Sequence, residues 1–152
     1  YYWARFLSRL NTAPYLIDKL ERPVPTRSSL AKYARVLGEL GERSCFYCGK
    51  RPLERRDVHI DHFIPWTFAF EDRLWNLVVA CSACNARKAD RIPDQAALDR
   101  LVALNRIRNS SPAHKPASLL RGGKSETDLV RLWDLAREEQ WPPWVQAPNP
   151  PA

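Results

Sequence analysis

The four cysteines of the chain form two Cys-x-x-Cys pairs. Their positions are Cys45, Cys48, Cys81 and Cys84. Four thiolates at this paired spacing are the ligand set that tetrahedral structural zinc requires. Two disulfides are the alternative, but a bridge within a Cys-x-x-Cys is strained and no secretory signal pattern lies before the pairs. The pattern therefore predicts a structural zinc site in a protein of a reducing compartment, the cytoplasm.

A second set of side chains suited to metal binding and proton transfer lies between the pairs and just after them. Hydrolysis of a phosphodiester requires a water nucleophile, a base and a cation. Asp61 can hold the cation and His62 can take a proton from water, while Asn85 directly follows Cys84. Closing the zinc site would bring the Asn85 oxygen towards Asp61. His59 is a candidate further ligand, with a partly exposed strand histidine as the alternative.

The predicted oxygen ligands also indicate which cation would be bound. A carboxylate from Asp61 and an amide oxygen from Asn85 suit hard Mg²⁺ or Mn²⁺. A histidine at position 85 would instead favour transition metals. We therefore expect two metals of different kinds, structural Zn²⁺ and catalytic Mg²⁺ or Mn²⁺.

The elements that position these residues follow from the spacing of apolar side chains. Short strands are predicted around 58–62 and over 77–80, with a loop at 63–75 between them. Ser82 is the predicted cap of a helix that carries Asn85 and ends before Pro93. Further helices are predicted at 3–10, 15–21, 28–40, 94–106 and 126–140, with Gly41 stopping the third of them.

The 152 residues fit a single domain with four regions. These are a helical flank at 1–41, a core with the zinc site at 42–93, helices and a basic segment at 94–145, and a disordered tail at 146–152. The predicted fold class is α+β and mostly helical. The chain has no methionine, so we expect a fragment of a longer protein, fused to or in complex with a targeting or sensing module.

The formal net charge of +7 favours a polyanionic partner. No segment resembles a membrane span. In the basic stretch after position 105, a phosphate track and a solvated loop are equally good interpretations. Lys88 lies three residues after Asn85, where its ammonium would reach the same phosphate. The candidate nucleic-acid contacts are Lys88, Arg87, Arg91, Arg106, Arg108, Lys115, Arg121 and Lys124.

The motif elements Asp61-His62, Asn76 and Cys81-x-x-Cys84-Asn85-x-x-Lys88 resemble the HNH nuclease family, over about residues 45 to 92. The resemblance implies a zinc-clamped ββα-metal core flanked by helices. It also implies that His62 is the general base, that Asp61 and Asn85 are metal ligands, and that Asn76 orients the loop carrying the base. Many family members have histidine where this chain has Asn85. The four cysteines match the zinc ribbon of a subfamily.

The leading interpretation is a metal-dependent DNA endonuclease, the nuclease module of a restriction or anti-phage system. Two alternatives stay open on the sequence alone. One is a non-catalytic zinc module that binds nucleic acid or a protein, and the other is a ribonuclease or toxin acting on RNA. A single site of this type cuts one strand, so a double-strand break would need a dimer or two visits.

Overall fold

The computed structural model describes residues 29–50, 53–110 and 125–145. Its helices and strands are, in chain order, α1 (Ala31–Glu39), β1 (His59–His62), α2 (Trp66–Ala69), β2 (Leu77–Ala80), α3 (Ser82–Lys88), β3 (Ile92–Pro93), α4 (Gln95–Ser110), α5 (Ser125–Glu138) and β4 (Pro143–Trp144). This mixture of helices with small sheets confirms the predicted fold class. The predictions for 3–10, 15–21 and 146–152 lie outside the described residues.

Strands β1 and β2 pair antiparallel, and α3 follows directly, which gives the strand, loop, strand, helix order expected from the sequence. The register places Asp61 opposite Val78 and His62 opposite Leu77. All four residues of β2 are buried, because its Leu-Val-Val-Ala sequence offers apolar side chains to both faces. The buried strand β2 therefore belongs to the core, and its partner β1 contains the polar residues Asp61 and His62.

Helix α1 packs an apolar stripe on the hairpin and ends at the predicted glycine. Tyr33, Val36 and Leu37 follow helical spacing and are buried. Gly41 adopts a φ of +78°, a conformation that glycine reaches without steric cost. The Glu42 amide then donates to the Leu37 carbonyl at 3.0 Å, which closes the helix as a Schellman motif.

Helices α4 and α5 pack on each other and contribute buried side chains to the core. Leu98 and Leu101 of α4 are buried together with Leu129 and Trp133 of α5. The Trp133 indole also donates to the Pro93 carbonyl at 2.8 Å. Both helices were predicted, and both begin within one residue of the predicted start.

The sequence did not predict the strand that follows α5. The two prolines after the helix end it as expected, but the chain then returns as β4 and pairs parallel with β3. This pairing seats Trp144 against Tyr47, with ring centroids 4.9 Å apart. The C-terminal part of the described chain thereby packs on the first cysteine pair.

The start of α3 differs from the prediction that Ser82 caps the helix. Cys81 occupies the N-cap position and makes no side-chain cap bond. The acceptor comes from outside the helix, since Asp57 Oδ1 accepts the Ser82 amide at 2.9 Å and the Ser82 hydroxyl at 2.5 Å. These bonds, together with Lys50, lower the pKa of Asp57. The carboxylate thus ties the turn before β1 to α3.

Candidate active site

The four cysteines converge on one point between the turn at 45–49 and the start of α3. Their sulfur atoms all lie within 4.8 Å of one another, and no disulfide joins them. Tetrahedral zinc with Zn–S bonds of about 2.3 Å requires sulfur separations of about 3.8 Å. The Cys48 and Cys81 sulfurs lie 3.8 Å apart. The donor set therefore fits a metal ion.

The local backbone explains why the first pair can turn towards the second. Gly49 adopts a φ of +72°, and its amide donates to the Cys45 carbonyl at 2.8 Å. The Phe46 amide donates to the Val79 carbonyl at 2.8 Å, so the turn is anchored to the edge of β2. Burial raises the pKa of the Cys45 and Cys84 thiols, which makes a bound cation the natural partner for their thiolates.

A tyrosine inside the first cysteine pair links the cysteine cluster to Asp61. The Tyr47 hydroxyl donates to Asp61 Oδ2 at 2.6 Å in a buried contact. Burial, then the charge of Asp61, raises the pKa of Tyr47 well above its ordinary value, so the phenol remains a neutral donor. The cysteine cluster thus fixes the direction of the Asp61 carboxylate through one intervening side chain.

Asp61, His62 and Asn85 line a single cleft of about 200 Å³. Asp61 and His62 come from the end of β1, and Asn85 comes from the middle of α3. Asp72 and Asp90 line the same cleft, with Leu30, Pro65 and Trp66 among its apolar lining residues. The structure therefore brings together the three residues that the sequence assigned to catalysis and cation binding.

His62 contacts an acidic residue that the sequence did not single out. His62 Nε2 lies 2.8 Å from Asp72 Oδ1, and the two side chains are 8% and 17% exposed. Asp72 lies in the loop between α2 and β2. Its distance of ten residues from His62 belongs to no motif, so sequence spacing offered no signal for it. Tyr47 was similarly missed, although its place between two cysteines would have put it near the cysteine cluster.

Asn76 holds the loop that follows His62. Its side-chain oxygen accepts the Ile64 amide at 2.8 Å, and its side-chain nitrogen donates to the Ile64 carbonyl at 2.9 Å. The Phe63 amide also donates to the Asn76 carbonyl at 2.8 Å. These three bonds fix the backbone directly after His62, and Asn76 itself is 1% exposed.

Lys88 lies in a different environment from the one that the sequence suggested. Its side chain is 0% exposed, and Nζ lies 3.1 Å from Asp61 Oδ2. Nζ also donates to the His62 carbonyl at 2.7 Å, while burial lowers the pKa of this ammonium. The predicted phosphate contact of Lys88 does not fit this burial. Its position makes it a buried partner of Asp61.

Arg108 requires the same correction. It is 3% exposed, and its guanidinium binds both Glu42 carboxylate oxygens, at 2.7 and 2.8 Å. It also donates to the Leu74 and Leu77 carbonyls at 3.2 and 3.1 Å. Arg108 therefore joins α4 to the segment that contains Asn76. Its burial is incompatible with the predicted phosphate contact.

The remaining candidates are placed as follows. Arg87, Arg91 and Arg106 are exposed, whereas Lys115, Arg121 and Lys124 lie outside the described residues. His59 begins β1 in a partly exposed position and is not among the residues lining the cleft. Within the described ranges, no helix is both long and apolar enough to cross a membrane.

The central segment of the chain, residues 45–94, is similar to a known protein family. Residues 45–94 match the model of a family described as HNH endonuclease, and this match supports a nuclease-type function. No curated protein matches the chain. Among solved structures, the crystal structure of the Type II-C Cas9 enzyme from Actinomyces naeslundii is similar, with 18% identity and a TM-score of 0.39. That alignment covers 93% of this chain and 16% of the other.

Proposed function

We propose that this chain, whose residues 45–94 match the model of the HNH endonuclease family, is a metal-dependent endonuclease that hydrolyses DNA phosphodiester bonds. The observation that carries the proposal is the convergence of Asp61, His62 and Asn85 on one cleft. An imidazole beside two oxygen ligands supplies the base and the cation site that this hydrolysis requires.

The two metal sites have different roles in this proposal. Zn²⁺ bound by the four cysteines would hold the turn at 45–49 against α3, because such a site contributes its binding free energy to folding. Mg²⁺ or Mn²⁺ would be held by Asp61 and Asn85. A carboxylate has about four acceptor positions, so the contacts of Asp61 Oδ2 with Tyr47 and Lys88 leave capacity for a cation. The bound cation would stabilise charge on the phosphate and on the leaving oxygen.

The residues of the chain then perform the proton transfer. His62 takes one proton from a water molecule while the water oxygen forms a bond to phosphorus. One P–O ester bond breaks, and the leaving oxygen takes a proton from solvent. The double hydrogen bond of Asn76 to Ile64 fixes the backbone next to His62, so the base is held in place before substrate binds.

DNA is proposed as the substrate because the resemblance of the motif implies it, and the net charge of +7 favours a polyanion. Arg87 and Arg91, which are exposed on and just after α3, are proposed phosphate contacts. The same proposal includes a role in restriction or anti-phage defence in the cytoplasm. The absence of disulfides among the four cysteines is consistent with that compartment.

The test is to incubate zinc-loaded protein with supercoiled plasmid, single-stranded DNA and RNA in Mg²⁺, in Mn²⁺ and in chelator. We expect nicking of the plasmid with either cation and none in chelator, with His62→Ala as the control for contaminating nuclease. Cleavage of RNA alone would overturn the DNA assignment. Failure to cleave all three polymers with both cations would overturn the nuclease proposal.

A further inference from the structure

The Asp72 carboxylate contacts the His62 ring, and the proposed mechanism gives this contact no role. The carboxylate is part of none of the motif elements, yet its Oδ1 lies 2.8 Å from His62 Nε2. Both side chains are largely withdrawn from solvent, at 17% and 8% exposure. A hydrogen bond in such surroundings is stronger than one in water, so it can orient the ring.

Asp72 is itself fixed from a second direction. The Tyr33 hydroxyl of α1 donates to the Asp72 backbone carbonyl at 2.7 Å, and Tyr33 is 4% exposed. Just before Asp72, α2 ends at Phe70 in a left-handed conformation with φ of +55°, which turns the chain back towards the cleft. The backbone of Asp72 is therefore anchored to a helix, and its side chain reaches His62 from that anchor.

The backbone of His62 is held by different groups. Its carbonyl accepts from Lys88 Nζ at 2.7 Å, and the loop after it is clamped by Asn76. These contacts fix the Cα position but leave the rotation of the imidazole to other partners. Asp72 contacts the ring itself, at Nε2.

We propose that Asp72 is a positioning residue for His62, which rests on the proposed function of His62 as general base. In a neutral imidazole, the nitrogen that donates to a carboxylate carries the proton, and the other nitrogen carries the lone pair. With Nε2–H donating to Asp72, the lone pair is on Nδ1. The sequence motif specifies which residue is the base, and Asp72 specifies which atom of it accepts the proton.

The proton transfer can be written with this assignment. Nδ1 takes a proton from water as the water oxygen bonds to phosphorus, one P–O ester bond breaks, and the leaving oxygen is protonated by solvent. The resulting imidazolium keeps Nε2–H on the Asp72 carboxylate, whose negative charge stabilises it. It then releases its Nδ1 proton to solvent, which restores the starting state.

Two other roles for Asp72 make different predictions. Because it lines the same cleft as Asp61 and Asn85, it would weaken cation binding on substitution if it were a metal ligand. If Asp72 only stabilised the loop between α2 and β2, its substitution would lower the free energy of unfolding without a specific effect on kcat. The experiment must therefore measure cation affinity, stability and the split between kcat and KM.

The experiment compares Asp72→Asn with Glu71→Gln as matched control. Both changes remove one carboxylate charge from the same loop, but the Glu71 carboxylate binds Arg73 at 2.7 Å. In Asp72→Asn, kcat should fall by about 10–100-fold, the range typical of losing the hydrogen-bond partner of a metal-ligating histidine. KM and the Mn²⁺ affinity, measured by titration calorimetry, should not change. Glu71→Gln should match the wild type in all three quantities.

A spectroscopic arm tests the geometry without any cleavage. The chain has three histidines, so ¹⁵N-histidine labelling gives three pairs of ring-nitrogen signals, and His62→Ala identifies the pair of His62. We expect a slowly exchanging Nε2 proton for His62 in the wild type and in Glu71→Gln, and its loss in Asp72→Ala, which leaves no acceptor for that proton.

The outcomes separate this inference from the proposed function. If the wild type cleaves DNA and both Asp72→Asn and Asp72→Ala keep the wild-type kcat, the positioning role is overturned while the nuclease stands. A loss of Mn²⁺ affinity in Asp72→Asn would make Asp72 a cation ligand instead. Absence of a protected Nε2 proton in the wild type would overturn the assignment even if Asp72→Asn fails to fold. A wild type that cleaves nothing refutes the proposed function and the positioning role with it.

Discussion

Replacing Lys88 by methionine should destabilise the protein strongly, because it removes one partner of a buried ion pair. Lys88 Nζ lies 3.1 Å from Asp61 Oδ2, and the two side chains are 0% and 10% exposed. The same ammonium satisfies the His62 carbonyl at 2.7 Å. Removing one partner of such a pair costs about 3–5 kcal/mol, since the other charge remains buried without compensation. A loss of this size is a large fraction of the stability of an ordinary domain.

Lys50 provides a matched control with the same geometry and a different environment. Its Nζ also lies 3.1 Å from a carboxylate oxygen, that of Asp57, but the side chains are 61% and 19% exposed. Burial lowers the pKa of Lys88, whereas the hydrogen bond with Asp57 raises the pKa of Lys50. Because solvent screens an exposed pair, Lys50→Met should change the free energy of unfolding far less than Lys88→Met.

The assay is urea unfolding in saturating zinc, followed by tryptophan fluorescence. Adding Asp61→Asn to Lys88→Met should recover part of the lost stability, because it removes the uncompensated charge. Equal effects of the two lysine substitutions would refute the reasoning. So would a Lys88→Met protein of unchanged stability and weakened DNA affinity, which would restore Lys88 as a phosphate contact.

Three further predictions concern the metals and the start of α3. Cys45→Ser should release zinc and unfold the segment 45–92, since binding free energy on the order of 10 kcal/mol is lost; metal analysis with circular dichroism checks this, and a folded, zinc-free variant would contradict it. Asn85→Ala should abolish cleavage in Mg²⁺, and Asn85→His should shift activation towards Ni²⁺ or Co²⁺, as plasmid nicking in each cation would show; full activity of Asn85→Ala in Mg²⁺ would contradict the ligand assignment. Hydrogen bonds to Ser82 and Lys50 lower the pKa of Asp57 below its ordinary value of 3.8, so the carboxylate stabilises the fold above about pH 4 and this effect is lost as the pH falls through the lowered pKa. The difference in unfolding free energy between the wild type and Asp57→Asn should therefore shrink in acid, and a difference that grew in acid would contradict this pH dependence.

The sequence predicted the hairpin and its helix well because their signals are local. The run Leu77–Ala80 was predicted as a strand with the bounds that the structure has, and Gly41 stops α1 as its conformational freedom suggested. The loop at 63–75 was less well predicted, since it contains the short helix α2 and a one-turn helix at Leu74–Asn76. Short apolar runs do not distinguish a single helical turn from a packed loop.

The errors in the site have one common cause. Lys88 and Arg108 were interpreted as phosphate contacts because they are cationic, whereas burial and partners decide what a cation does. Those partners, Asp61 and Glu42, lie 27 and 66 residues away in the sequence, and spacing does not reveal contacts of that range. Asp72 was missed for the same reason, since a loop carboxylate acquires its role only when the fold brings it to His62.

The central claim is that His62 is the general base of a phosphodiester hydrolase, and the most direct test is the single-turnover cleavage rate of His62→Ala. The rate should fall by ~10²-fold or more, because the step that takes the proton from water is lost, while DNA affinity stays nearly unchanged. His59→Ala, two residues away on β1 and not lining the cleft, should have a much milder effect. A His62→Ala protein that cleaves at the wild-type rate, or a His59→Ala protein that is equally impaired, would contradict the account.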